Sequence, residues 1–140
     1  MSAAGADDHD AKRADPNAAI SFQTPDGDVE QVAVDQIWRI RAASTHGEPA
    51  GTTVIEYAYE RIFVKDSVEN VVSKVSEYRN VKKFTSPGGE PIYIVTDKIT
   101  GILRPIPNEH HQNAKAIIVT REGQQQVQES RETIRGAFAK

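Results

Sequence analysis

The side chains best equipped for chemistry in this 140-residue chain are two adjacent histidines, His110 and His111, and two pairs of recurring acids, Asp35 with Asp97 and Glu69 with Glu132. Histidines hold zinc when further ligands stand at workable spacing and the rings converge on one point. Neighbouring loop residues point apart, and no third ligand follows at such a spacing. His46 lies in another long loop, among many polar residues. His110-His111 therefore reads as a solvated loop, and no metal site is expected. Paired carboxylates can act as general acid and base, but each acid here has a simpler role. Asp35 and Asp97 stand at corners before Ile-x-x-Ile, where a short side chain bonds nearby backbone. Glu69 and Glu132 fall in the first turns of expected helices, where negative charge meets the positive helix end. The chain has no cysteine, hence no thiolate nucleophile and no disulfide framework. It contains no Gly-rich phosphate loop, no G-x-S-x-G elbow and no H-E-x-x-H. The expectation is a non-enzyme with no catalytic residue, metal or cofactor.

Two binding chemistries remain. The second copy carries Lys82, Lys83, Lys98, Arg104, Lys115, Arg121, Arg131 and Arg135, and Tyr78, Phe84 and Tyr93 lie beside or among them in sequence. Basic grooves with aromatic platforms hold single-stranded nucleic acid. The whole chain is acidic, however, with net charge −3, and it has no RNP-like aromatic motif. A mixed-charge solvated face is the simpler account, and nucleic-acid binding through the second half stands as the alternative function. The other chemistry is aromatic. Trp38 follows Ile37 in an expected strand whose Ile40 is also buried. Alternation alone leaves Trp38 either a core residue or a protein-interaction anchor. Tyr57 and Tyr59 share one face of the next strand and extend the same candidate interaction patch.

The elements that must position these residues are written twice. Residues 22–40 read FQTPDGDVEQVAVDQIWRI and residues 84–102 read FTSPGGEPIYIVTDKITGI. At an offset of 62, Phe22 matches Phe84, Gly27 matches Gly89, Asp35 matches Asp97 and Ile40 matches Ile102. Beyond a loop the offset is 63: Ile55 matches Ile118, Ser67 matches Ser130 and Val71 matches Ile134. A period of this length marks an internal duplication. Each copy is near the size at which a lone core is marginal, so the copies are expected to pack together.

Within the first copy, strands are expected at Ile20–Thr24 and Val29–Val34 around a Pro-Asp-Gly turn, then at Ile37–Ala43, Thr52–Tyr59 and Arg61–Lys65. A helix follows near residues 67–78. Asp66 or Ser67 caps it, Asp66-x-x-Glu69 resembles a capping box, and Val68, Val71, Val72 and Val75 form one apolar stripe. The second copy repeats the order: strands near Lys83–Ser86, Pro91–Val95, Lys98–Arg104, Lys115–Arg121 and Gln124–Gln128, then a helix near 130–139. Ile134, Ala137 and Phe138 are its apolar face. The expected class is α+β and β-rich: two pseudo-symmetric repeats, 20–80 and 81–140, each a small antiparallel sheet or partly open barrel followed by a C-terminal helix. Residues 1–19, small and polar, read as a disordered tail.

Each copy resembles the short FlbD-like proteins encoded among bacterial flagellar genes. The shared pattern is a Gly turn, a β pair, a polar corner before Ile-x-x-Ile, a Val-Ile strand and a final helix entry. Here these are Gly27, Val32–Val34, Asp35–Ile40, Val54-Ile55 and Val64–Val71, and the second copy ends in Val127–Ile134. The resemblance implies a bacterial setting. Absence of cysteine, of a hydrophobic signal core and of any membrane-length apolar run is compatible with the cytoplasm and sets membranes aside. The resulting expectation is a non-catalytic protein-interaction or assembly module. Residues 20–78 hold ten acids and five bases, and residues 79–140 hold six acids and ten bases. Such complementary fields favour pairing of unlike copies, and a homo-oligomer, with a dimer as its simplest form, is expected.

Overall fold

Pro25-Asp26-Gly27 reverses the chain with Gly27 at φ 93°, and Pro87-Gly88-Gly89 does so again with Gly89 at φ 96°. Only glycine adopts that conformation without steric cost. Each turn closes a hairpin. The computed structural model describes residues 15, 17–44 and 46–138, with side chains through residue 136. The first hairpin is β1 (Ala19–Gln23) and β2 (Val29–Ala33). A 3-10 corner at Val34–Gln36 leads to β3 (Ile37–Ala42), β4 (Thr53–Tyr57), β5 (Glu60–Val64) and helix α1 (Val68–Ser76). The second hairpin is β6 (Val81–Thr85) and β7 (Pro91–Val95). A 3-10 corner at Thr96–Lys98 precedes β8 (Ile99–Leu103), β9 (Ala116–Thr120), β10 (Gln124–Val127) and α2 (Arg131–Phe138).

All strand pairs are antiparallel, in three sheets: β1-β2, β10-β9-β8 and a central β5-β4-β3-β7-β6. The central sheet crosses the expected boundary between the copies. β3 pairs with β7 through Arg39 opposite Ile94, Ile40 opposite Tyr93 and Arg41 opposite Ile92. This corrects the expectation of one separate sheet per copy: an open strand edge carries unpaired amides and carbonyls, and β7 satisfies those of β3.

Strand alternation gives the central sheet a core on each face. Ile40, Ile55, Val64 and Val95 pack against Ile20, Phe22, Val32 and Val34 of the first hairpin and against Val71 and Val75 of α1. Phe84, Ile92 and Ile94 pack the other way, against Ile99, Ala116, Ile118, Val127 and Ile134. β7 thus serves both cores: Val95 and Tyr93 belong to the first and Ile92 and Ile94 to the second. The expected valine stripe of α1 is present, with Val71 and Val75 fully buried and Val68 and Val72 packed at its margin. That packing outweighs the low helix propensity of valine.

Several backbone contacts occur at matching places. Val34 N–H donates to the Ala18 carbonyl at 2.9 Å, and Thr96 N–H to the Asn80 carbonyl at 3.0 Å. Lys65 N–H meets the Gln23 carbonyl, and Gln128 N–H the Thr85 carbonyl, each at 2.8 Å. β3 and β8 each carry a register shift just after their first residue. Ser67 caps α1 by accepting from Asn70 N–H at 3.1 Å, and Ser130 accepts from Thr133 N–H at 3.2 Å. Of the two expected caps, Ser67 is the one used. Asp66 instead receives Lys74 Nζ at 3.0 Å and Gln23 N–H at 3.5 Å, tying α1 to β1.

The expected fourth strand is shorter than its sequence suggests. It stops at Tyr57 because Ala58 turns to φ 50°. Ala18 is buried and Ala19 begins β1, so the fold starts two residues inside the expected tail. Residues 1–14 and 16 of that tail, and the Ala137 and Phe138 side chains expected on α2, lie outside the described residues.

Candidate interaction surface

Arg39 and Arg41 point away from the first core because Ile40 between them points into it. On the same face, Glu56 lies opposite Arg39 and Arg61 lies opposite Glu56. Cross-strand neighbours of opposite charge meet directly. Arg39 donates to Glu56 through Nε at 2.9 Å and Nη2 at 2.8 Å, and Arg41 Nε donates to Glu56 Oε2 at 2.8 Å. Glu48, from the β3–β4 loop, takes both Arg41 terminal nitrogens at 2.9 Å and Arg61 Nη1 at 2.7 Å. These bonds hold the Glu48 carboxyl well below its ordinary range, at about 2, the Arg41 guanidinium being the largest cause. The Arg41 guanidinium is pushed up in return, its bond to Glu48 foremost. Burial pulls Arg39 down, against the pull of Glu56. The charges satisfy one another, and the network ties β3, β4, β5 and the β3–β4 loop together.

Trp38 occupies the β3 irregularity, where the register shifts between Ile37 and Arg39. The shift lets Ile37 and Trp38 both be buried, at 0% and 4% exposure. The Arg39 guanidinium stacks over the indole, 4.4 Å from the ring centroid. Arg39 Nη1 also donates to Gln125 Oε1 of β10 at 2.5 Å, linking the central sheet to the three-stranded one. On another side the indole abuts Gly123, where an added Cβ would lie 3.1 Å from Cζ2 and Cη2.

Beside this indole is an open hollow of about 320 Å³, lined by Trp38, Glu56, Ala58, Tyr59, Glu60, Arg61 and Glu122. Tyr59 stands on its rim, 72% exposed in the β4–β5 turn. Glu122 Oε1 is buried there without a hydrogen-bond partner among the described residues. Aromatic wall, exposed tyrosine and carboxylates together suit an apolar or cationic side chain from outside.

Trp38 and Tyr59 thus line one hollow. Tyr57 does not join them: it packs against the first core, and Tyr59 sits in a turn rather than one strand step beyond it. Glu122 and Glu48 were not legible as site residues, because each comes from a loop or turn whose approach depends on the fold. The eight basic positions are dispersed. Lys82 and Lys83 are successive residues of β6 and so face opposite sides. Ile99 lies opposite Thr120 and Leu103 opposite Ile117, so Lys98 and Arg121 mark one end of the β8–β9 pair. Arg104 and Lys115 mark the other. Arg131 and Arg135 stand on α2.

Of the recurring acids, Asp35 makes a long-range contact, and the histidine pair has local roles. Asp35 bonds Arg79 Nη2 at 2.9 Å, bracing the corner against the exit of α1. His110 Nδ1 accepts from Ile106 N–H at 2.8 Å, and His111 Nδ1 from Asn113 N–H at 3.0 Å, so the two rings order their own loop. Among the described residues, no helix is long and apolar enough to cross a membrane. No family model, curated protein or solved structure matches the chain.

Proposed function

We propose that this chain is a non-catalytic protein-interaction or assembly module built from a tandem repeat. The observation that carries the reading is the Trp38–Tyr59 hollow. It joins a buried indole, an exposed tyrosine and an unpartnered carboxylate oxygen of Glu122, whereas the strongest ionisable cluster, around Glu48 and Glu56, is occupied by its own salt bridges. Rigid aromatic anchors beside a polar rim are the common anatomy of protein contacts. The repeat reading is supported by the matching turns, corners, caps and strand irregularities of the two halves. The likeness to FlbD-like proteins supports a bacterial setting, and the absence of cysteine is compatible with the cytoplasm. Dispersal of the basic residues weighs against a single nucleic-acid groove.

The test is retention of protein partners by the tagged chain and by its Tyr59→Ala and Glu122→Gln variants. A partner held by the parent chain and lost by both variants supports the hollow as the contact. Equal retention by all three would remove the hollow from the account. Turnover of any substrate class, abolished by a single side-chain change, would overturn the non-catalytic reading.

A further inference from the structure

Resting on the reading of this chain as an assembly module built from a repeat, we infer that its partner is another molecule of the same chain: β8 of one molecule pairs with β2 of the other. The chain already contains the contact that serves as template. β7, inner strand of the second hairpin, pairs with β3, the first strand after the other corner. At the offset of 62, β7 corresponds to β2 and β3 to β8. Yet among the described residues β2 pairs only with β1, and β8 only with β9. Each is an outer strand in a position whose counterpart is paired.

The missing ladder cannot close within one molecule. β1-β2 packs on one face of the central sheet through Ile20, Phe22 and Val32, and β8-β9-β10 packs on the opposite face through Ile99, Ala116 and Ile118. The central sheet stands between them. A second molecule must therefore supply the strand. Transferring the observed register gives Gly101 opposite Val32, Ile102 opposite Gln31 and Leu103 opposite Glu30.

The backbone faces the right way. Thr24 N–H bonds the Asp28 carbonyl and Val34 N–H the Ala18 carbonyl. Alternation then turns the even-numbered residues of β2 toward β1 and leaves the amide and carbonyl of Gln31 on the outer edge. On β3, Ala43 N–H bonds the Thr52 carbonyl, so Ile40 faces β7. Its counterpart Ile102 accordingly faces outward on β8.

The side chains agree. Natural sheets guard free edges with charge or proline. β6 does so with Lys82 and Lys83, and β5 with Glu60 and Arg61. β8 reads Ile-Thr-Gly-Ile-Leu, without a charge or proline, and β2 carries a single charge, Glu30, which the register sets opposite Leu103. Val29 on β2 and Leu103 on β8 are among the exposed large apolar residues, at 66% and 51%. The contact is head-to-tail, so two molecules pairing reciprocally form a ring and unclosed pairing forms a chain.

Sedimentation equilibrium of the full chain and its variants tests this. The parent chain should exceed its 15.4 kDa monomer mass as concentration rises. Leu103→Glu sets a like charge opposite Glu30 and should weaken association by roughly tenfold. Glu30→Lys on the same chain should restore it. Gln31→Pro removes the outward amide of β2 and should leave a monomer. Mixing Gln31→Pro with Leu103→Glu should then give a one-to-one dimer, because each retains the edge the other lacks. A parent chain that remains monomeric, or variants that associate like the parent, would overturn the proposal. If Gln31→Pro fails to fold, the exchange between exposed Leu103 and Glu30 still decides: no loss, or no rescue, overturns it. A monomeric chain that still holds a partner through Tyr59 would remove this pairing alone. A monomer that holds none would remove the interaction reading as well.

Discussion

Ile40 of β3 and Tyr93 of β7 lie opposite each other in an antiparallel ladder, although they come from different halves of the chain. Ile40 is fully buried in the first core, and Tyr93 packs at the margin of that same core. One residue further, Ile94 turns to the second core and is fully buried there. Neither half therefore has a complete boundary without the other.

The halves should accordingly unfold together. Ile94→Ala removes buried methyl groups from the strand that serves both cores and should cost about 2–5 kcal/mol. Denaturant unfolding followed by Trp38 fluorescence, which reports the central sheet, and by far-ultraviolet circular dichroism should give one coincident transition for parent and variant. Two separated transitions would contradict the shared-strand account.

Stability should fall in acid through Glu48. Its carboxyl is held at about 2, against an ordinary 4.5, chiefly by Arg41. A depressed carboxyl contributes fully above its unfolded value and loses that contribution as pH falls through the folded one. The loss should run between about pH 4.5 and pH 2. Glu48→Gln should cost about 2 kcal/mol at pH 7, the exposed Arg61 arm being screened by solvent, and little near pH 2. Parallel melting curves for parent and variant across that range would show Glu48 to be a bystander.

A side chain at Gly123 should crowd Trp38. An added Cβ at 3.1 Å from the indole requires that ring to move, and the ring is buried and stacked by Arg39. Gly123→Ala should lower stability by about 1 kcal/mol and shift the emission of the chain's single tryptophan toward that of an exposed indole. Unchanged emission and stability would mean that the β9–β10 turn yields freely.

The order of elements was legible from alternation, turn chemistry and the valine stripe, because these are local properties. Pro25-Asp26-Gly27 and Pro87-Gly88-Gly89 marked both hairpins, and every expected strand and helix is present within a few residues. The β3–β7 ladder was not legible. Nothing in Arg39–Arg41 or Ile92–Ile94 names a partner strand, since pairing follows from which edge is open when the cores form. The irregularity that buries both Ile37 and Trp38 likewise escapes a period-two reading. The same limit hid the hollow: Glu122 reaches Trp38 only because the three-stranded sheet lies over the central one.

Dispersal of the basic residues predicts weak engagement of polynucleotides. Fluorescence polarisation with single-stranded DNA and RNA should show no tight, salt-sensitive binding. Strong binding that weakens steeply with salt, and that Lys82→Glu with Lys83→Glu abolishes, would favour nucleic acid as the partner instead.

The assembly account is tested most directly by amide hydrogen exchange on the full chain at low and high protein concentration. Association through β2 and β8 predicts that the backbone amides of Gln31 and Ile102 become protected together as concentration rises, while the outward amide of the guarded β6 edge, that of Lys83, does not change. Gln31 and Ile102 amides that exchange equally fast at every concentration would contradict it.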